Sequence, residues 1–280
     1  MSARTAGDLV GPRGGVLVCV FAVTGAPRPA GAADARGHEE GGPLRVLTAG
    51  ELFLHVQDVP VAAFGEEPLR ARLERADDLE RLARAHHRAV EAAARCGAVV
   101  PLPLATLFHG DDSAVAAVAE RSVGLVALLQ RLRGRTEWAV KVHAAGAGVR
   151  APDAGDAAAV AGGRAYLSRA SARRRTEREG HAQALAEAHA VDEELRRYAV
   201  AATRHRPQSE QLSGRREPQL LNAAYLVDDA RRNAFRRALA RLATAGRAPA
   251  VRVTASGPWV PYSFARWDET AEAHGSGVAR

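Results

Sequence analysis

His86 and His87 are the first residues to weigh for chemistry, because paired imidazoles can ligate a metal or relay protons. On a helix, adjacent side chains point about 100° apart, so this pair cannot grip one metal as an i, i+4 pair does. His86 falls on the apolar stripe set by Leu82 and Val90, which predicts a partly buried, hydrogen-bonded ring, with His87 in solvent. Lys141 is the chain's one lysine, where every other positive charge is written as arginine. A lysine offers a compact ammonium rather than a planar fork. On a strand it shares a face with Glu137, which suits a strand-edge charge pair. Asp77-Asp78 and Asp228-Asp229 stand at helix starts, where capping and the helix dipole account for them. Cys19 and Cys96 are single and far apart, with neither metal-ligand spacing nor a disulfide framework. There is no Gly-x-Ser-x-Gly elbow, P-loop or His-Glu-x-x-His. No catalytic residue, cofactor-binding residue or metal ligand is therefore assigned, and no cofactor is expected.

The chemistry that stands out is apolar. Trp259, Pro261, Tyr262 and Phe264 set three large aromatics on a proline-stiffened backbone, in a chain that is only 5% aromatic. Such a segment either plugs a core or presents a rigid docking surface, where little entropy is lost on binding. Trp138 lies near Lys141 on a second apolar strand and joins the candidate contact set.

The elements that must position these residues follow from periodicity. Gly15 to Val23 reads as a buried first strand, too short for a signal-peptide core or a bilayer span. Residues 25–42 read as a long mobile loop. A hairpin follows, Leu44 to Leu47 and Leu52 to Val56. A helix begins near Asp77 with a capping box to Glu80, and Leu79, Leu82, His86, Val90 and Ala93 form its inner face. Ala98 to Leu104 is a strand. Asp111 or Asp112 caps one helix carrying Val115, Val118, Leu125 and Leu129, with Ser122 interrupting the stripe. Thr136 to His143 is the next strand. These form an N-terminal α+β domain over 15–143, a modified ferredoxin-like sandwich with altered strand order. The Gly/Ala/Pro-rich stretch 144–163 is the boundary. A smaller C-terminal α+β domain spans 164–268, with a helical segment over 164–206 that Gly180 is placed to break. Its strand-helix-strand part covers 219–264, where Gly257-Pro258 ends the last strand.

Four blocks in order carry a resemblance. They are Ala85-His-His-Arg-Ala-Val90 with Val99-Val-Pro-Leu-Pro-Leu-Ala-Thr-Leu-Phe108, then Glu137-Trp-Ala-Val-Lys-Val142, then Leu220-Leu-Asn-Ala-Ala-Tyr-Leu-Val227, and finally the Gly-Pro-Trp-Val-Pro-Tyr-Ser-Phe264 ending. Together they resemble the gas vesicle protein F/L family (GvpF/GvpL). The resemblance implies a non-enzymatic accessory or minor structural protein of gas vesicle assembly, cytoplasmic and associated with the vesicle. Its implied partner is the hydrophobic major shell protein, with other gas vesicle accessory proteins as further candidates. Trp259, Pro261, Tyr262, Phe264, Trp138 and Lys141 are the residues expected to meet that partner. The pattern departs at Pro103 for Arg, Ala105 for Gly, Ser256 for Thr and Val260 for Pro. Alanine at 105 argues against a positive φ there.

Composition sets the rivals. A net charge of +7 could attract nucleic acid or an anionic membrane, and Arg173, Arg174 and Arg175 on the helical segment would be the arm for it. The arginine bias is also that of a GC-rich, actinobacterial-like genome, and no recognition helix or basic-aromatic ladder accompanies it. Neither nucleic acid nor membrane is expected as a partner. An enzyme at the domain junction would need His86, Lys141 and Glu137 gathered into one polar pocket.

Overall fold

Two antiparallel sheets, each with its own helices, give the α+β architecture that the hydrophobic pattern predicts. The computed structural model describes residues 15–27, 36–145, 163–206, 217–244 and 250–265. The chain divides into a first unit, Met1–Gly134 with Val260–Arg280, and a second, Arg135–Trp259.

In the first unit β1 (Val16–Thr24) is apolar throughout and buried beyond its first residue, as a central strand must be. It lies in the order β2-β3-β1-β4, with β2 (Leu44–Ala49), β3 (Leu52–Pro60) and β4 (Val99–Pro101), while β5 (Leu107–Phe108) also pairs with β1. Gly50, at φ +62°, closes the β2–β3 hairpin. Helices α1 (Val61–Phe64), α2 (Glu66–Leu73) and α3 (Ala76–Ala94) follow β3. Leu82, Ala89, Val90 and Ala93 of α3 pack on Phe21, Val59 and Phe64 to make the core. Helices α4 (Asp111–Ala119) and α5 (Ser122–Leu132) complete the unit.

The second unit runs β6 (Arg135–Ala144), α6 (Gly163–Arg196), β7 (Ala201–Arg204), β8 (Gln219–Asp228), α7 (Arg232–Thr244) and β9 (Val251–Trp259). This is the ferredoxin-like succession strand-helix-strand-strand-helix-strand, in the sheet order β7-β8-β6-β9. In both sheets the first strand lies between the third and fourth, and the second lies outside the third. The first unit is the modified version, since its described residues between β1 and β2 form no helix. Phe235 on α7 sits between Trp138 and Tyr225, at ring-centre distances of 5.6 and 5.8 Å, and anchors the second core.

Several sequence expectations are corrected. The strand at 135–144 belongs to the second sheet, because β8 and β9 hydrogen-bond its two edges, so the boundary falls at Gly134 rather than after His143. The single helix expected from Asp111 breaks at Arg121, whose backbone turns to φ −107°, ψ 10°. The capping box is absent: Arg75 occupies the cap position without a side-chain bond, and Asp78 pairs instead with Arg75 and Arg81. Leu79 turns outward, 40% exposed, since that face of α3 meets solvent. Helix α6 runs unbroken through Gly180 and ends at Arg196, and the residues after it form β7, which pairs with β8. The described end of the expected mobile loop is anchored: the Gln57 side chain bonds both the amide and the carbonyl of His38.

Ala105 has φ +64° despite its Cβ. The tight turn from Pro103 to Thr106 requires it, with the Thr106 hydroxyl donating to the Pro103 carbonyl at 2.8 Å. The left-handed region costs an L-residue about 1–2 kcal/mol, offset in part by glycine's extra freedom when unfolded. Ala105→Gly is therefore expected to stabilise the protein by about 0.5–1 kcal/mol, read as a raised urea midpoint with unchanged slope.

Candidate functional site

Strand β9 runs through Gly257-Pro258 instead of ending there. It is the outer strand of its sheet, where a missing amide donor is tolerated. The ladder is irregular between Glu137 and Ala139, and Gly257 takes φ +141° there. A Cβ at Gly257 would meet the Glu137 carbonyl at 2.9 Å, so this crossing requires glycine. Trp259, opposite Glu137, ends the strand 42% exposed, with its indole N–H donating to Ser256 Oγ at 3.2 Å. Among the described residues no strand covers the far edge of β9.

The residues after Trp259 belong to the first unit. Val260 packs on that unit's core, and Pro261 and Phe264 are buried. Tyr262 remains 37% exposed and lies against His87 of α3, with rings 5.9 Å apart and the hydroxyl 3.1 Å from Nδ1. His87 Nε2 faces Glu91 at 3.3 Å, so the ring expected in solvent is half-buried and held from both sides. No sequence signal announces this contact, since its partners are 175 positions apart.

The six predicted contact residues thus separate. Trp259 and Tyr262 present aromatic surface. Pro261 and Phe264 are removed from direct contact by their burial, and Trp138 by its packing against Phe235. Lys141 is partly exposed on β6, opposite Asn222 and Thr254, and lies on the alternate residues from Trp138, Val140 and Val142, which enter the second core.

Of the residues weighed for enzymatic chemistry, His86 and Cys19 are sealed in the first core. His86 is buried in the first unit, with Nε2 donating to the Leu102 carbonyl at 3.0 Å. Burial lowers its pKa to about 4. Cys19 is fully buried, which pushes its thiol up to about 12. Among the described residues no group of three or more His, Cys, Asp or Glu could hold a metal ion, and no helix is long and apolar enough to cross a membrane. The arginine-bearing half of α6 is exposed from 171 to 183, and Arg173 pairs with Glu177 at 3.2 Å.

Comparison with known proteins returns the same family as the sequence blocks. The family model for gas vesicle synthesis protein GvpL/GvpF matches residues 17–266. Gas vesicle protein L of Streptomyces sp. (strain CB03234) is 40% identical over 253 residues, covering 89% of this chain and 92% of that protein. The crystal structure of GvpF from Anabaena sp. PCC7120 superposes with a TM-score of 0.61 at 15% identity, covering 90% of this chain and 96% of that one. GvpF from Microcystis aeruginosa gives 0.59 at 14% identity, over 91% and 99%. At that identity the two structures speak for the fold.

Proposed function

The chain belongs to the GvpL/GvpF family of gas vesicle synthesis proteins, and from that premise we propose that it is a non-enzymatic assembly factor that engages the apolar shell protein of the vesicle. An aggregation-prone apolar subunit needs its strand edges or apolar face covered until it is incorporated. The observation that carries this reading is β9, an outer strand ending in the exposed Trp259. Such an edge offers main-chain hydrogen bonds to an incoming strand, and an aromatic at its end offers apolar area. Tyr262, on the first unit, is a second contact of the same chemistry. Burying either ring against a partner is worth roughly 1.5–3 kcal/mol, enough for a hot spot. On this reading the protein acts in the cytoplasm beside the growing vesicle, with other gas vesicle proteins as further partners.

Co-expression with a major shell protein, followed by affinity capture at moderate salt, tests this. Wild type is expected to retain the shell protein, and Trp259→Ala to lose at least tenfold of it, as about 1.4 kcal/mol or more predicts. Tyr262→Ala run in parallel reports on the first unit separately. Capture by both variants at the wild-type level would keep the function and discard these contacts. No capture by wild type would overturn direct engagement of the shell protein.

A further inference from the structure

The hydrogen-bond phase of β9 decides which of its main-chain groups a partner can reach. The Ala145 amide donates to the Ala250 carbonyl at 2.8 Å, in the register that sets Ala144 opposite Val251 and Val142 opposite Val253. Antiparallel pairs alternate between hydrogen-bonded and non-bonded. Arg252 and Thr254 therefore turn their amides and carbonyls toward β6, and Val251, Val253 and Ala255 turn theirs outward. Among the described residues, none of these outward amides and carbonyls has a hydrogen-bond partner. Ala255 and Ser256 are exposed, so the edge is open to solvent there.

Natural sheet edges are blunted by short strands, prolines, charges or a covering element. Here β7 is only four residues long, and β2 is tied to α4 by Arg45, which donates to Asp111 at 2.8 Å. Strand β9 is nine residues long, and its proline stands at 258, past the outward groups. Its one charge, Arg252, is engaged by Glu217 at 2.7 Å. Val251 and Val253 belong to the second core, while Arg252, Thr254 and Ser256 lie on the other face. The stretch from Val251 to Ala255 is thus left pairable.

We propose that β9 is a strand acceptor, on which the shell protein docks as one added strand of about five residues paired with Val251, Val253 and Ala255. This rests on the assembly reading above and specifies the segment that the edge selects. A helix is excluded, because its main-chain groups are bonded internally. An extended segment offers a donor and an acceptor at every second residue, which is the spacing β9 presents. Guest side chains beside Val251 and Val253 join the apolar, helix-covered face, and those beside Arg252 and Thr254 lie on the other. The guest therefore alternates apolar and polar residues and contains no proline. Pairing stops at Gly257-Pro258, where the ladder is irregular and Pro258 has no amide to donate. Trp259, beyond that point, adds apolar area without setting the register.

Residue-resolved amide exchange by NMR tests this, first on the full chain alone. Exchange is expected to alternate along β9, fast at Val253 and Ala255 and about tenfold or more slower at Arg252 and Thr254. Uniform protection, or protection that grows with the chain's own concentration, would mean that the edge is already covered and overturn the acceptor. In the captured complex with the major shell protein, Val253 and Ala255 should slow about tenfold or more. Unchanged exchange there, with capture intact, would discard strand addition and leave the assembly reading standing. Ala255→Pro removes one outward donor without breaking a bond to β6, and should cut capture about tenfold. Ala255→Val keeps the donor and should capture as wild type does, with the folding of both variants checked by Trp138 fluorescence. Equal capture by a folded Ala255→Pro would also overturn the proposal. Failure of wild type to capture any shell protein would overturn it together with the assembly reading.

Discussion

Acidification from pH 6.5 to 4 is expected to remove most of the stability of the first unit, through His38 and His86. Both rings are buried and neutral, and both have their pKa lowered from 6.5 to about 4, chiefly by burial. Around His38 stand His86, Arg72 and Arg88, which disfavour a proton, and Glu40, which favours one. Around His86, the Leu102 carbonyl favours the proton and His87 disfavours it. In this window the unfolded chain binds more protons than the folded one, so stability is full above pH 6.5 and falls as the pH drops through 4. A tenfold change in protonation is worth about 1.4 kcal/mol, so each histidine withdraws about 3 kcal/mol by the acid end. Two such losses are comparable with the whole stability of a domain, roughly 5–15 kcal/mol. Cys19 provides a readout for this unit alone, since its side chain is fully buried beside Phe21 in the first core. In a Cys96→Ser background, labelling of Cys19 by a pyridyl disulfide should accelerate sharply below pH 6. His86→Gln keeps a donor for the Leu102 carbonyl without the titration, and should flatten the profile by about half. A profile as steep in His86→Gln as in wild type would show that the acid sensitivity arises elsewhere.

Asp192→Ala is expected to cost roughly 3 kcal/mol, felt in the second unit. The carboxylate is buried, and three groups hold it: the Tyr225 hydroxyl donates at 2.5 Å, Arg196 Nε at 3.0 Å and Arg204 Nε at 3.1 Å. Burial alone would raise its pKa, but the Tyr225 hydrogen bond and the two guanidiniums outweigh that and hold it below the ordinary carboxylate value. Burial and the neighbouring carboxylate push the Tyr225 hydroxyl up, so it stays protonated and donates. Removing Asp192 leaves that hydroxyl buried without an acceptor and frees Arg204 from α6. The arginines are about half exposed, 44% and 51% for their side chains, and can return to water. For that reason the loss belongs at the lower end of the range for a broken buried pair, about 3–5 kcal/mol. Tyr225→Phe should cost about 1–2 kcal/mol, and the double variant less than the sum, since both remove one contact. Urea unfolding followed by the fluorescence of buried Trp138 measures all three. Additive losses would mean that Asp192 and Tyr225 act independently. The carboxylate's stabilisation is present above about pH 4 and is lost as the pH falls below that value.

The Asp192 network also explains why β7 escaped the sequence reading. Ala201–Arg204 is four residues long, small and polar, with no alternating apolar face, and it follows directly on a helix-forming run. What makes it a strand is the ladder to β8 and the Arg204–Asp192 tie to α6, both contacts distant in sequence. The break at Arg121 was equally illegible, because alanine and valine continue the helical period on both sides. The positive φ of Ala105 follows from a turn whose shape the surrounding fold imposes.

From the sequence alone came whatever rests on local periodicity or on residues that act near their neighbours. The buried run of β1, the inner stripe of α3 with His86 on it, the α+β class and the ordered family blocks are of this kind. A side chain's place on a strand or helix is dictated by its spacing, and burial follows from its polarity. The tertiary structure alone decided which sheet β6 joins, because a strand with two apolar-compatible edges can pair in either, and only β8 and β9 present the matching register. It alone separated the terminal aromatics, burying Phe264 and leaving Trp259 and Tyr262 exposed, since exposure depends on which distant surfaces a short segment meets. And it alone brought Asp192, Tyr225 and Arg204 to one buried cluster, because such contacts form between elements, and no local pattern encodes the distance between them.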